Sequence, residues 1–410
     1  MNILLINHYA GSPRDGMEYR PYYLAREWVR LGHRVLVVAA SQAHVRAQQP
    51  QLAGRSRLEE TIDGVQYSWL KTPCYSGNGV GRIRNMLAFV HGLYRQGRKL
   101  AQSFQPDLVI ASSTYPMDIW PAQRIARLSN AKLVFEVHDL WPLSPMELGG
   151  LSRWHPFIMV VQAAEDYAYR RADVVVSMLP KVRTYMESRG MAPHKLHIIP
   201  NGVDPGEWDT GGPELPGPTA DLLAKIRLRG FQLVGYAGAH GIANALETLL
   251  NAAKLMQKEK VAFILVGAGP CKRALQERVQ ADALQNVWFI DPAKKAQIPA
   301  LLAYFDVAYI GLQRQPLFRF GIAPNKLTDY MMAARPVLLA IDAGNDPVAE
   351  AGCGLTITPE DHFAVAHGIR TLLGLTDEER EAMGLRGRQF VLEHHTYAVL
   401  AQRFLNSCDM

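Results

Sequence analysis

The segment Leu233-Val-Gly-Tyr-Ala-Gly-Ala-His-Gly241 passes from an apolar run into a glycine-rich loop, and residues 243–254 behind it carry the apolar spacing of a helix. A strand that feeds a tight loop and then a helix is half of a βαβ unit. The same pattern recurs on both sides. Downstream, the sequence predicts strands at 263–266, 287–290, 307–310 and 337–340, with helices between them. Upstream, strands are expected at 2–7, 35–39, 108–111, 133–137 and 174–177, with helices over 18–31, 122–128 and 163–171. Short β-branched apolar runs of this kind belong to parallel sheets buried on both faces. The polar, Pro- and Gly-rich stretch 201–218 separates the two series. The chain therefore reads as two doubly wound α/β domains, 1–200 and 201–385, with a last helix inside 386–410 packing back on the first. Ligands of such sheets bind beyond the strand C-termini, so a cleft between two facing domains is the expected active site.

Composition narrows the class. The 410 residues are 48% hydrophobic and 20% charged, which excludes a disordered tail or a fibre. No apolar run approaches the roughly 18–20 residues that cross a bilayer. Residues 1–6 have no basic flank and read as a strand, not a secretion signal. The cysteines at 74, 271, 353 and 408 are far apart, which suits a reducing cytosol and suggests neither zinc nor disulfides. Charge is uneven: residues 1–200 hold 24 Lys and Arg against 15 Asp and Glu, whereas 201–410 hold 20 against 23. A basic front half suits a polyanion or an anionic membrane surface. Residues 79–100 sharpen this, because Arg82, Arg84, Arg95, Arg98 and Lys99 punctuate Ile83, Met86, Leu87, Phe89, Val90, Leu93 and Tyr94 in the manner of a basic amphipathic helix. Trp154, Phe157 and Ile158 could add an apolar wedge. No aromatic-interleaved basic strand or recognition helix appears, so nucleic acid is not expected.

Candidate chemistry concentrates in a few loops. Gly321-Ile322-Ala-Pro-Asn325-Lys326 leads into a helix whose free N–H groups and dipole favour a phosphate, and Lys326 adds a cation. Asp329, one turn on, can accept hydrogen bonds from sugar hydroxyls. Gly238, His240 and Gly241 form a second small-residue loop that lets backbone approach a diphosphate, with His240 as a donor. Residues 263–272 resemble a dinucleotide fingerprint without its third glycine, and Lys272 at their end can reach a phosphate or remain solvated. In the front half, His138 and Asp139 lie just past a strand end, placed to position an acceptor hydroxyl or take its proton; capping of the next turn by Asp139 is the competing reading. Gly16, Glu18 and Arg20 belong to the first βα loop and could line the same cleft. No DxD triplet or HExxH is present, so neither a metal nor another cofactor is expected.

Taken together, Tyr236-Ala-Gly238, Ile199-Pro-Asn-Gly-Val-Asp204, Pro324-Asn-Lys326 and Tyr330-Met-Met-Ala-Ala-Arg-Pro336 resemble the retaining family 4 glycosyltransferases of the GT-B fold. Residues 165–176 resemble the segment before the last strand of their acceptor domain. Glu136-Val-His-Asp-Leu-Trp-Pro142, Met17-Glu-Tyr-Arg20 and Gly241-Ile-Ala-Asn-Ala-Leu-Glu247 look most like the branch that transfers N-acetyl-L-fucosamine in O-antigen and capsule assembly. The resemblance implies a C-terminal domain for a nucleotide-sugar donor, expected to be UDP-linked, and an N-terminal domain for a lipid-linked diphosphate saccharide, working at the cytoplasmic face of the inner membrane. It implies a donor pattern of two carboxylates eight positions apart. The second falls on Asp329, which would hold the ribose; the first falls on Gly321, which has no side chain. It also implies an Arg and a Lys after the first strand of the second domain, where this chain has Gly238-Ala-His-Gly-Ile-Ala243, so His240 and Lys326 would share the diphosphate. Two other readings stay open: a GT-B nucleotide-sugar epimerase, and a non-catalytic nucleotide-sugar-binding scaffold, which the missing carboxylate favours.

Overall fold

The computed structural model describes residues 1–16, 19–77, 79–209 and 213–408. Two compact units emerge: Met1–Asn201 with Tyr397–Met410, and Gly202–Thr396.

Unit 1 is an eight-stranded sheet built from β1 (Asn2–Ile6), β2 (Arg34–Ala40), β3 (Arg57–Ile62), β4 (Val65–Leu70), β5 (Leu108–Ala111), β6 (Lys132–Val137), β7 (Val174–Ser177) and β8 (Leu196–Ile198), in the order β3-β4-β2-β1-β5-β6-β7-β8. Every neighbouring pair is parallel except β3 with β4. That pair is a hairpin turned by Asp63-Gly64, both at positive φ (49° and 83°), the backbone that two-residue hairpin loops require. The central strands are mostly apolar, with Glu136 in β6 a buried exception, because helices cover both faces. The sheet order reverses between β1 and β5, so the loops after those strands and after β6 form the ligand edge of this unit.

Unit 2 holds β9 (Gln232–Ala237), β10 (Val261–Val266), β11 (Val287–Ile290), β12 (Val307–Gly311), β13 (Val337–Ala340) and β14 (Gly354–Ile357), all parallel, in the order β11-β10-β9-β12-β13-β14. This is the doubly wound mononucleotide order, with its switch point between β9 and β12. Alternate residues feed two cores: Leu233 and Ile264 pack on one face, Val234, Phe263 and Leu265 on the other.

Three sequence expectations are corrected. The last helix is two helices. Asp377–His394, opened by a Thr376–Glu379 capping box, stays in unit 2, while Tyr397–Cys408 packs on unit 1. There Tyr397 stacks on Tyr23 at 4.7 Å and the carbonyl of Ala401 accepts a hydrogen bond from the Trp28 indole at 3.1 Å. The helix predicted over 243–254 starts at Leu246, because residues 242–244 form a 3-10 turn and Ala245 adopts a left-handed conformation. The apolar stripe of Val80–Phe104 (Met86, Phe89, Val90, Leu93) is buried in unit 1, leaving Leu87 and Tyr94 as its exposed apolar residues in the expected set; Ile158 is likewise buried. Residues 165–176 run into β7 and precede β8, the last strand of the sheet, as the resemblance implies.

Candidate active site

In unit 2, two loops converge at the switch point. The loop after β9 runs Gly238-Ala239-His240-Gly241, and the helix Asn325–Met332 starts beside it. Lys326 joins them: its Nζ donates to the Asn244 Oδ1 at 2.8 Å and to the Tyr236 hydroxyl at 3.1 Å, and sits 4.6 Å above the Tyr236 ring. Tyr330 makes a second link, its hydroxyl accepting from the Ala237 N–H at 2.8 Å. Burial pushes the Lys326 ammonium down to about 8. The first N–H groups of the helix, on Asn325 and Lys326, have no carbonyl one turn earlier within it.

A cavity of about 290 Å3 opens against the β9 loop, bounded by Gly238, Ala239, Gly267, Ala268 and Ile298 among others. Gly238 contributes room here; its own N–H is spent on the Val266 carbonyl, and a Cβ on it would stand 3.3 Å from the Lys326 Nζ. The Ala239 N–H, between two bonded neighbours, has no hydrogen-bond partner among the described residues. The glycines of 263–272 serve this loop rather than a dinucleotide. A Cβ on Gly267 would fall 1.9 Å from the Gly238 carbonyl, and one on Gly269 2.5 Å from that of His240. Gly241 opens the 242–244 turn.

Several expected donor residues are placed otherwise. The His240 ring is fully buried, edge-on to Phe289 with neither nitrogen hydrogen-bonded, and burial with nearby Lys272 lowers its basicity. It holds the loop by its backbone, bonded to Ala268 and Cys271, and presents no donor to the cavity. Lys272 is drawn aside to Asp291 at 2.8 Å. The Ile322 N–H goes to the Asn345 Oδ1 at 2.7 Å, and the Ile322 carbonyl accepts from the same side chain. Asp329 lies partly buried one turn beyond Lys326. Burial pushes its carboxyl up to about 6, with Lys295 opposing and Glu207 assisting.

The ligand edge of unit 1 is a buried polar network. Arg20 donates through Nε and Nη2 to the Glu136 Oε1 at 3.0 and 2.9 Å, and its remaining donors reach the carbonyls of Ile199 and Pro200. The Glu136 Oε2 accepts from the Ser112 hydroxyl at 2.6 Å and lies 3.3 Å from the His138 Nε2, which is itself 2.8 Å from the Ser112 Oγ. Burial works against the Glu136 charge, yet Arg20 and His138 hold its carboxyl well below the usual range. With the Ser112 hydroxyl hydrogen spent on Glu136, the His138 Nε2–H donates to the Ser112 Oγ and towards the Glu136 Oε2, which leaves Nδ1 as an acceptor. Arg20 is a fully engaged structural tie, which corrects its expected contact with a ligand. Asp139 caps the turn after β6, accepting from the Leu140 N–H and the Ser144 hydroxyl through one oxygen, Oδ1; its Oδ2 has no bond to a described residue. Gly16 closes the tight turn 12–16 at φ 82°, its N–H on the Ser12 carbonyl. Glu18 lies outside the described residues.

Comparison with known proteins gives the kind of enzyme this chain is. Residues 15–202 match the family model described as Glycosyl transferase 4-like domain, and residues 232–374 match Glycosyl transferases group 1. The probable glycosyltransferase WbjE of Pseudomonas aeruginosa is 24% identical over 328 residues, 75% of this chain and 79% of that one. The structure of Anabaena Alr3699/HepE in complex with UDP and glucose superposes with a TM-score of 0.67 at 15% identity, covering 100% of this chain and 99% of the other. Sucrose-phosphate synthase of Thermosynechococcus elongatus gives 0.72 at 16%, covering 99% and 98%. The chain is a GT-B glycosyltransferase. The order of its two domain matches supports membership of family 4.

For this glycosyltransferase, the glycine at the first family carboxylate position has a backbone cause. Gly321 adopts φ 99°, ψ 175°, a region open essentially to glycine alone. Gly321→Glu is therefore expected to lower stability by about 1–3 kcal/mol without raising turnover; thermal melting and initial rates check both. Sequence reading gave no site role to Tyr236, Asn244, Ser112 and Glu136, which the structure places in these networks. Glu136 had a signal, a lone acid inside an otherwise apolar strand, and Tyr236 and Asn244 lie in segments that carry the family resemblance; Ser112 had none.

Proposed function

We propose that this glycosyltransferase moves a sugar from a UDP-sugar, with retention of anomeric configuration, onto a lipid-linked diphosphate saccharide in cell-surface polysaccharide synthesis, as a peripheral enzyme on the cytoplasmic face of the inner membrane. The observation that carries the donor assignment is the Lys326 ammonium held against the Gly238 loop by Tyr236 and Asn244. HepE, solved with UDP and glucose, supports a uridine donor. The sequence likeness to the N-acetyl-L-fucosamine branch favours an N-acetylated deoxyhexosamine as the sugar.

In this reading unit 2 grips the diphosphate with the Ala239 N–H, the first N–H groups of Asn325–Met332 and Lys326. Asp329 takes the ribose hydroxyls. The acceptor hydroxyl attacks the anomeric carbon on the face from which the diphosphate departs, the bond to the diphosphate oxygen breaks, and that oxygen receives the hydroxyl proton. Charge grows on the leaving phosphate, so fixed donors and a cation there supply most of the acceleration. His138, with Nδ1 as an acceptor, positions the acceptor sugar and does not take the proton of the attacking hydroxyl. The basic unit 1 and the exposed Trp154, Met159 and Val160 support the membrane reading.

Proton NMR of the product formed from UDP-sugars and a lipid-diphosphate acceptor tests the reading. An axial donor giving an axial linkage is expected. An epimerised donor without acceptor, or UDP binding with no turnover across acceptors, would replace it with the epimerase or the scaffold.

A pH dependence follows from the two displaced groups. UDP affinity should fall as pH rises through about 8, where Lys326 loses its proton, and fall again below about 6, where Asp329 gains one. Lys326→Arg should abolish the alkaline limb while leaving the acid one, as read by calorimetry across pH.

A further inference from the structure

The helix Val80–Phe104 and the β3–β4 hairpin flank a groove of about 590 Å3 in unit 1. Arg57, Lys71, His91, Arg95 and Lys99 line it, and no carboxylate does. The sequence around it is equally one-sided: residues 64–106 contain Lys71, Arg82, Arg84, Arg95, Arg98 and Lys99 but no Asp or Glu. Arg57 is held by Gln96 at 3.1 Å and by Glu59. The side chains of Lys71, Arg95 and Lys99 have no ion-pair or hydrogen-bond partner among the described residues. Gly92 forms part of the floor, where a Cβ would stand 3.4 Å from the Leu70 side chain, so the helix lies close on the hairpin and the cations are brought together.

Surface charge that serves solubility mixes both signs. Here Lys71, Arg95 and Lys99, none of them ion-paired among the described residues, converge on a concave surface that no carboxylate lines, an arrangement that repels itself until an anion enters and that focuses field into the groove. Lysine ammoniums and an arginine fork are the donor set that phosphate oxygens fill best. The volume exceeds that of one phosphate. Leu87 and Tyr94, exposed one turn from His91 on the same helix, flank the lining residues with apolar surface.

We propose that this groove is a phosphate-binding site for a diphosphate or phosphodiester group, separate from the unit 2 diphosphate loops. None of its lining residues belongs to the Arg20–Glu136–His138 network. The ligand is either a soluble phosphate ester or the headgroup of an anionic lipid.

Calorimetric titration of inorganic pyrophosphate into the UDP-saturated enzyme tests the site. One further equivalent should bind, and the double variant Arg95→Glu, Lys99→Glu should weaken it at least tenfold while UDP affinity stays unchanged. The charge-matched double variant Arg84→Glu, Arg98→Glu, on the same helix but outside the lining, should leave it within about twofold. Because the readout is the binding lost on charge reversal, it holds whether or not UDP occupies unit 2. Pelleting with vesicles of phosphatidylcholine and about one third phosphatidylglycerol separates the sources. Pelleting lost in the groove variant and competed by pyrophosphate assigns a headgroup; pelleting unchanged while pyrophosphate binding is lost assigns a soluble ester. No second equivalent, or equal losses in the two double variants, overturns the site and leaves only diffuse surface charge.

Discussion

Lys326→Ala should lower kcat by about 10²–10³, with a smaller rise in the donor KM. The size of the effect follows from where the ammonium sits. Burial already disfavours its charge, so much so that its pKa falls to about 8, and the neighbouring Tyr236 hydroxyl and Asn244 carbonyl orient it without neutralising it. A cation of this kind interacts weakly with a spread ground-state charge and strongly with the charge that gathers on a departing phosphate, which is the condition for an effect on turnover rather than on binding alone. The substitution removes no ion pair, because Lys326 has none among the described residues, so the variant should keep its fold and melt within a few degrees of the parent. Initial rates over a range of donor concentration, with far-UV circular dichroism on the same samples, check both halves. A kcat within threefold of the parent would remove the ammonium from the leaving-group site.

The architecture was legible because parallel strands write themselves as short apolar runs. The runs at 108–111, 174–177, 287–290, 307–310 and 337–340 lie at or within one residue of observed strand bounds. The strands left unread, β3, β4, β8 and β14, are the ones that lack this signature. β3, Arg-Leu-Glu-Glu-Thr-Ile, is a half-exposed edge strand with charged alternate positions, β4 interrupts its apolar residues with Gln66 and Ser68, β8 is three residues long with His197 at its centre, and β14 starts on a glycine. The turn that closes β3 on β4 was nonetheless written in the chain as Asp63-Gly64, a strong short-range hairpin signal. Its neglect also hid the basic groove, since Arg57 and Lys71 come together with Arg95 and Lys99 only when the hairpin folds back beside the helix.

The candidate site was legible by type and less so by partner. Lys326 and the Gly238 loop could be paired from the strand-loop-helix pattern, since both lie at C-terminal strand ends of one sheet. His240 shows the limit. A histidine in a small-residue loop, here Gly238-Ala239-His240-Gly241, reads as a ligand donor, but the glycines at 267 and 269 let the neighbouring loop press so close that the ring turns inward. Asp139 shows it again: one hydroxyl five residues later, on Ser144, decides that the carboxylate caps a turn. Side-chain direction depends on such tertiary contacts, and local spacing does not encode them.

The largest loss of stability is expected from Glu136→Gln. The carboxylate carries the whole charge balance of the Arg20 guanidinium at the inner edge of unit 1, where both side chains are at most 4% exposed. Removing the charge leaves a buried cation facing an amide, and breaking a buried pair from one side costs about 3–5 kcal/mol. For a unit of this size that corresponds to a fall in Tm of roughly 10 °C. Arg20→Met should cost a similar amount, because it strands the carboxylate instead. The double variant Arg20→Met, Glu136→Leu should be more stable than either single one, since two apolar side chains leave no charge unpaired; a coupling energy of several kcal/mol in the double-mutant cycle is the signature of the pair. The variants also part company in function. Glu136→Gln keeps a group able to accept the Nε2 proton of His138, whereas Leu removes it and frees the imidazole to change tautomer. Nitrogen chemical shifts of His138 should therefore report a protonated Nε2 in the parent and in Glu136→Gln, and a mixture of tautomers in the double variant. Additive single losses with an unchanged tautomer would show that Arg20, Glu136 and His138 act as independent residues and not as one network.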